Sequence, residues 1–208
     1  MKPIPKKFLA LGDSYTIGEG VTSAERWPDQ LAVALRPHGI LLAPPKIIAV
    51  TGWTSADLKA GLIAGDLEPP YDLVTLLIGV NNQFRAYPIG EYRLEFAELL
   101  RRGIDLAERD PFRLIVLSIP DWSVTPFASG RDRKEIARAI DEFNAINLTI
   151  SRQAGVHYLD VTAISRMAAD FPDLLTRDGL HPAGRMYTLW VQRIAPLAAR
   201  ILNQPAGS

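Results

Sequence analysis

Five short apolar runs recur along this chain, with helical patterns between them. They are Phe8–Leu11, Ile47–Val50, Leu73–Ile78, Leu114–Ile119 and Val156–Leu159. Each is Leu-rich or β-branched and too short for a helix, and most are bounded by Gly, Pro, Asp or Asn. A strand with one face in water alternates apolar and polar residues. Continuous apolar runs suit strands covered on both faces, as in a parallel sheet.

The intervening segments carry a period near 3.6. Tyr92, Phe96, Leu99, Leu100, Gly103, Ile104 and Ala107 share one face of a helix. Ile136, Ile140, Phe143, Ile146, Asn147 and Ile150 share another. Met186, Leu189, Trp190, Ile194, Leu197 and Ile201 form a terminal helix that Pro196 is expected to kink or to cut before its last turn. Weaker patterns place helices at about 28–36 and 54–64. Strands alternating with helices define an α/β fold with helices on both faces of the sheet. Right-handed crossovers leave few topologies, and a flavodoxin-like strand order 2-1-3-4-5 is expected. In such sheets ligands bind beyond the carboxyl ends of the strands.

The 208 residues suit a single domain spanning 1–208. Lys+Arg and Asp+Glu are both 23, a balance that gives no argument for nucleic acid or an anionic membrane as partner. Cysteine is absent, which excludes disulfides, thiolate metal sites and a cysteine nucleophile. No segment reaches the roughly 18 apolar residues of a membrane span. The run Phe8–Leu11 is too short for a signal peptide. The chain is therefore expected to be soluble and cytoplasmic.

The loops after the strands hold the chemistry. They read Gly12-Asp13-Ser14-Tyr15, Thr51-Gly52-Trp53-Thr54, Gly79-Val80-Asn81-Asn82 and Pro120-Asp121-Trp122, with Arg177-Asp178-Gly179-Leu180-His181-Pro182 near the C-terminus. Each block alone has an ordinary reading. Ser14 alone is a helix cap, Gly52 a turn glycine, Asn81 a loop residue and His181 a structural histidine. Together they supply a hydroxyl, an imidazole, a carboxylate three residues before it, an amide and a glycine that exposes backbone. Those are the parts of acyl transfer: nucleophile, base, orienting acid and oxyanion donors.

In the order and spacing of these blocks the chain resembles the SGNH hydrolases, also called GDSL esterases and lipases. The resemblance runs from Gly12-Asp13-Ser14 to Asp178-x-x-His181. It implies a three-layer α/β/α fold with Ser14 as nucleophile, His181 as base and Asp178 as its partner. It further implies an oxyanion hole made by the Ser14 backbone N–H, Gly52 and Asn81. Two departures are visible: Tyr15 replaces the Leu of the name motif, and Asn82 stands where the third block usually carries Asp.

The residue chemistry agrees with that implication. Ser14 Oγ is inert at its free pKa and needs a base, and neutral His181 can take its proton and return it to the leaving alcohol. The expected reaction is hydrolysis of a small ester through an acyl-enzyme, with no metal and no cofactor, so activity should survive EDTA. The same machinery could pass the acyl group to an alcohol instead of water. A non-catalytic flavodoxin-like binding module would need a phosphate loop, and no G-x-G-x-x-G or G-x-x-x-x-G-K-[ST] is present. A partner-binding domain that kept only the fold would have no use for the full set of reactive residues.

Asp13 is assigned to local hydrogen bonding and is also expected among the residues of the substrate wall, and His157 is assigned to a structural role in its strand. Trp53, Phe84 and Trp122, with Phe127, are expected to form an apolar wall beside the serine. The aperiodic stretch 120–131 is expected to be a substrate-facing flap. Asn81 is expected to aim its amide at the oxyanion. Asn82 should face away and accept hydrogen bonds from loop backbone, which on sequence alone would keep Asn82→Asp within about tenfold of wild type.

Overall fold

The computed structural model describes residues 4–204. Its strands are β1 (Phe8–Gly12), β2 (Lys46–Ala49), β3 (Leu73–Leu77), β4 (Leu114–Leu117) and β5 (His157–Leu159). They form one parallel sheet in the order β2-β1-β3-β4-β5, the order expected from the crossover rules. One row crosses the whole sheet through Ile48, Leu11, Leu76, Val116 and Tyr158. The three central strands are buried throughout, whereas β2 and β5 at the edges are half-buried. This is why the central runs carry one polar side chain, Thr75, while the edge runs admit Lys46, His157 and Tyr158.

The helices are α1 (Ser14–Ile17), α2 (Trp27–Ala34), α3 (Ser55–Ala64), α4 (Val80–Phe84), α5 (Ile89–Leu106), α6 (Arg133–Gln153), α7 (Thr162–Ser165) and α8 (Gly184–Asn203). Helix α2 packs on α8, while α5 packs on both α3 and α6, giving two helical layers around the sheet. Helix α5 buries Tyr92, Phe96, Leu99, Leu100 and Gly103, and α6 buries Ile136, Ile140, Phe143, Asn147 and Ile150, the faces marked by their spacing. Asp132 caps α6 by accepting the Lys134 and Glu135 N–H groups at 3.0 Å each. A Thr54–Asp57 capping box starts α3.

Pro196 does not cut the last helix, because α8 runs through it to Asn203. The proline forgoes a backbone bond, at a cost of about 3 kcal/mol. Ile194, Ala195, Ala198, Ala199, Ile201 and Leu202 are buried on both sides of it, and their burial holds the final turns in register. Among the described residues no helix is long and apolar enough to cross a membrane.

Candidate active site

Four of the five chemical blocks sit just beyond the carboxyl ends of β1 to β4, and the fifth closes over them from the chain's C-terminal region. Strand β1 ends at Gly12, where a Cβ would press into Thr16 and lie 2.6 Å from the Leu77 carbonyl oxygen. Glycine there lets α1 start directly off the strand. Asp13 caps that helix and Ser14 is its first residue, almost wholly buried.

The Asp178–His181 loop is a tight return held by its own backbone. Thr176 N–H donates to the His181 carbonyl and Ala183 N–H to the Leu174 carbonyl, both at 2.8 Å. Asp178 Oδ1 accepts from the Thr176 hydroxyl at 2.6 Å, from Leu180 N–H at 2.8 Å and from His181 N–H at 3.0 Å. Its Oδ2 lies 2.6 Å from His181 Nδ1. Partial burial works against the charge, but the Thr176 hydroxyl, the His181 ring and the two backbone N–H groups outweigh it and hold the carboxyl down at about 2. Asp178 is thus ionised at neutral pH and fixes one imidazole nitrogen, leaving Nε2 as the free one. The Tyr15 ring packs 5.8 Å from the imidazole and limits its tilt.

Ser14, Asn81 and His181 line one cavity of about 90 Å³, with Tyr15, Val80, Phe84, Trp122, Phe127 and Leu180. No hydrogen bond joins the Ser14 hydroxyl to the imidazole among the described residues, which is common in an unliganded site. Larger hollows exist, such as one of about 480 Å³ between α2 and α8, but its lining of Gln30, Val33, His38, Thr188 and others has no nucleophile set against a base. Among the described residues no cluster of His, Cys, Asp and Glu has the makings of a metal site.

Gly52 is not among the residues that line the Ser14 cavity, but its turn is tied to the block of Asn81 through Trp53 and Arg85. Gly52 has φ +85°, a conformation that side chains rarely adopt, and among the described residues beyond its chain neighbours the one atom near its missing Cβ is Arg85 Nη2 at 3.5 Å. The turn therefore requires glycine on backbone grounds. Arg85 donates to the Gly52 carbonyl at 2.7 Å, and one N–H of the Asn81 amide donates to the Trp53 carbonyl at 2.9 Å. The other N–H of that amide has no partner of its own among the described residues, which is the state an oxyanion donor needs.

Asn82 points the other way. Its Oδ1 accepts from Ser55 N–H at 3.0 Å, and its Nδ2 donates to Ser55 Oγ at 2.7 Å. The Ser55 hydroxyl in turn donates to the Glu95 carboxylate. This changes the expectation for Asn82→Asp. One hydroxyl proton cannot serve two carboxylates, so Asp at this position sets a charge against Glu95 across a single oxygen. Asn82→Asp should therefore lose more than tenfold in kcat/KM or several degrees in Tm. Adding Glu95→Gln should restore most of it, and an equal loss with and without Glu95→Gln would contradict the relay.

Two residues expected on the wall are elsewhere. Asp13 is fully buried beneath the site, because its Oδ1 accepts Tyr15 N–H at 3.0 Å as a helix cap. Trp53 turns away and lays its ring against Gly61 of α3, where no side chain could fit beneath it. Phe84, Trp122 and Phe127 do line the cavity, joined by Tyr15, Val80 and Leu180, which sequence reading missed. All three missed residues are immediate neighbours of a reactive residue or its block, and that adjacency was the available signal. The stretch 120–131 faces the cavity as two single helical turns, Trp122–Val124 and Pro126–Ala128. It is tied down by Phe127 N–H to the Gly179 carbonyl at 3.2 Å and by Arg133 to the Thr125 carbonyl at 3.2 Å.

The half-buried His157 and the fully buried Asp13 depart from ordinary behaviour. His157 packs edge-on against Phe112 at 4.6 Å with its Nε2 buried and unpartnered, and burial lowers its pKa, which fits a structural role. Asp13 Oδ2 is also buried and unpartnered, and desolvation lifts the carboxyl from 3.8 to about 7 against the pull of the Tyr15 N–H. Between those values the folded protein keeps a proton that the unfolded chain has lost. That stabilisation is complete below pH 3.8 and gone above about 7. Asp13→Asn keeps the cap acceptor and removes the titration. Its Tm relative to wild type should rise from pH 5 to pH 8, and an unchanged difference would show that Asp13 is ionised at little cost.

Comparison with known proteins places this arrangement. Residues 10–189 match the GDSL-like Lipase/Acylhydrolase family, and the chain belongs to that family of hydrolases. Among solved structures, that of TesA superposes with a TM-score of 0.71 at 19% identity, covering 95% of this chain and 100% of that one. The psychrotrophic esterase EstA from Pseudoalteromonas sp. gives 0.70 at 18% identity, covering 96% and 100%. Axe2, an acetylxylan esterase from Geobacillus stearothermophilus, gives 0.68 at 17% identity, covering 96% and 95%. At these identities the likeness is one of fold. A comparison with curated proteins finds no match.

Proposed function

We propose that this chain is a serine esterase of short-acyl carboxylic esters. One observation carries the reading: Ser14, Asn81 and His181 share the wall of one cavity, and an ionised Asp178 holds the far nitrogen of the imidazole at 2.6 Å. In this account Ser14 Oγ attacks the ester carbonyl while His181 Nε2 takes its proton. The forming oxyanion is held by the free N–H of the Asn81 amide and the backbone N–H groups of Gly52 and Ser14. The imidazolium, steadied by Asp178, returns the proton to the departing alcohol. Water then repeats the sequence on the acyl-enzyme. The structurally similar EstA and Axe2 are esterases, in keeping with this chemistry.

The cavity sets the substrate size. A cavity of about 90 Å³ walled by Val80, Phe84, Trp122, Phe127 and Leu180 suits a short acyl chain. In a series of nitrophenyl esters, kcat/KM should be greatest between acetate and butyrate and fall at least about tenfold by octanoate, since each surplus methylene must find room in a packed wall. A value that climbs steadily to octanoate would overturn the short-acyl assignment.

A further inference from the structure

Arg131 occupies an unusual place beside the cavity. Its guanidinium carbon lies 5.1 Å from the centre of the Phe84 ring, 5.6 Å from that of Trp122 and 5.8 Å from that of Phe127. The three rings pack on one another with centroids 5.5 to 6.0 Å apart, and all three line the cavity that holds Ser14 and His181. Trp122 is pinned to α4 by its Nε1–H, which donates to Gln83 at 2.8 Å. Phe84 and Phe127 are 41% and 42% exposed, so this wall continues outward into a rim.

Cation–π attraction of this kind uses the charge of the guanidinium and consumes no conventional hydrogen-bond acceptor. Five N–H donors lie along the guanidinium's edges. Among the described residues none of them meets a carboxylate or a carbonyl. Three other arginines are committed: Arg133 to the Thr125 carbonyl, Arg166 to Asp121 and Asp141, and Arg85 to the Gly52 carbonyl. The nearest acid in sequence, Asp132, is spent on capping α6. Arg131 is therefore a charge held in place by rings that also form the substrate wall, with its hydrogen-bonding fork unused. Part of the ordering cost of gripping an anion has already been met.

We propose that Arg131 is a specificity-determining residue that recognises an anionic group, of carboxylate chemistry, carried by the ester at the rim of the cavity. The small cavity takes the reacting acyl or alcohol portion, and the carboxylate projects past the aromatic edge onto the guanidinium fork. This rests on the esterase reading of Ser14 and adds the substrate's charge to it.

The test uses paired esters, or twins, of similar size, one member carrying a carboxylate and the other a neutral group at the same place. Nitrophenyl hemisuccinate against nitrophenyl butyrate places the anion on the acyl arm. Phenyl acetate bearing a 4-carboxylate against its methyl ester places it on the alcohol arm. In wild type at low salt, at least one anionic twin should have about tenfold higher kcat/KM than its neutral partner, an advantage that shrinks as salt rises. Arg131→Met keeps an apolar stem on the rings, and Arg131→Gln keeps polarity without charge. Both should bring the ratio to about one. Arg131→Lys, which keeps charge without the planar fork, should keep part of it. Equal losses on both twins would make Arg131 a mere brace for the wall and overturn the proposal, as would an unchanged ratio. The neutral twins separate the two levels of the account. Ser14-dependent turnover of butyrate with no anion preference sinks only the role of Arg131, whereas an enzyme that turns over neither twin sinks the esterase reading with it.

Discussion

Ser14→Ala should abolish ester hydrolysis, lowering kcat by about 10⁶ as loss of a serine nucleophile does elsewhere, while the protein stays folded. The geometry makes the variant clean. Ser14 is the first residue of α1, and its structural work is done by its backbone, whose carbonyl accepts from Gly18 and Glu19 N–H at 3.1 Å each. Alanine keeps that carbonyl and is at home in a helix. Asp13, not Ser14, caps the helix, so the cap survives. A Tm within a few degrees of wild type with no measurable turnover is the expected pair of results. Turnover within tenfold of wild type in the folded variant would move the nucleophile elsewhere.

Asp178→Asn should cost up to about 10⁴ in kcat/KM, through the imidazole's tautomer. In the native loop Oδ1 is saturated by three donors, from Thr176, Leu180 and His181, while Oδ2 faces Nδ1. An asparagine must keep its carbonyl oxygen on those three donors, since turning the amide would set NH₂ against all of them. Its NH₂ then points at His181 Nδ1 and makes that nitrogen an acceptor. The ring's proton moves to Nε2, which can no longer take one from Ser14. Asp178→Ala, which imposes no tautomer, should lose less than Asp178→Asn if this argument holds. A loss under tenfold for both would reduce Asp178 to a loop brace. The kinetics of the two variants should be compared at matched Tm, because the same carboxylate also holds the loop.

The fold was legible because both of its signals are local. Unbroken apolar runs mark strands covered on two faces, and the 3.6-residue spacing in α5, α6 and α8 marks their buried sides. Handedness then left few orders for the sheet, and the expected flavodoxin-like one is found. The first four blocks were legible for a related reason: each directly follows a strand, so topology alone brings them to one edge, whereas the block with Asp178 and His181 follows no strand and was marked only by its residue types and spacing. What stayed hidden depends on packing between distant segments. Whether Trp53 faces the cavity or Gly61 is decided by a glycine in the next helix. The partner of Asn82 across Ser55 is Glu95, on a different helix and visible only once α3 and α5 are docked. Asp13 looks like any acid beside a serine until burial strands one of its oxygens. Arg131 reads as the end of an aperiodic loop, and its place over three rings comes from segments 84, 122 and 127 converging. Pro196 read as a break because a proline's local cost is visible in sequence, whereas the packing that overrides it is not.

The central claim is that Ser14 is a hydroxyl nucleophile activated by His181. Covalent labelling with a fluorophosphonate tests it without any choice of ester, because the probe reacts with an activated serine and mimics the tetrahedral intermediate. Incubation followed by peptide mapping should give a single adduct on Ser14 in wild type, none in Ser14→Ala, and labelling slowed at least about a hundredfold in His181→Ala, where the general base is gone. An adduct on another residue, or equally fast labelling of Ser14 with and without His181, would contradict the account.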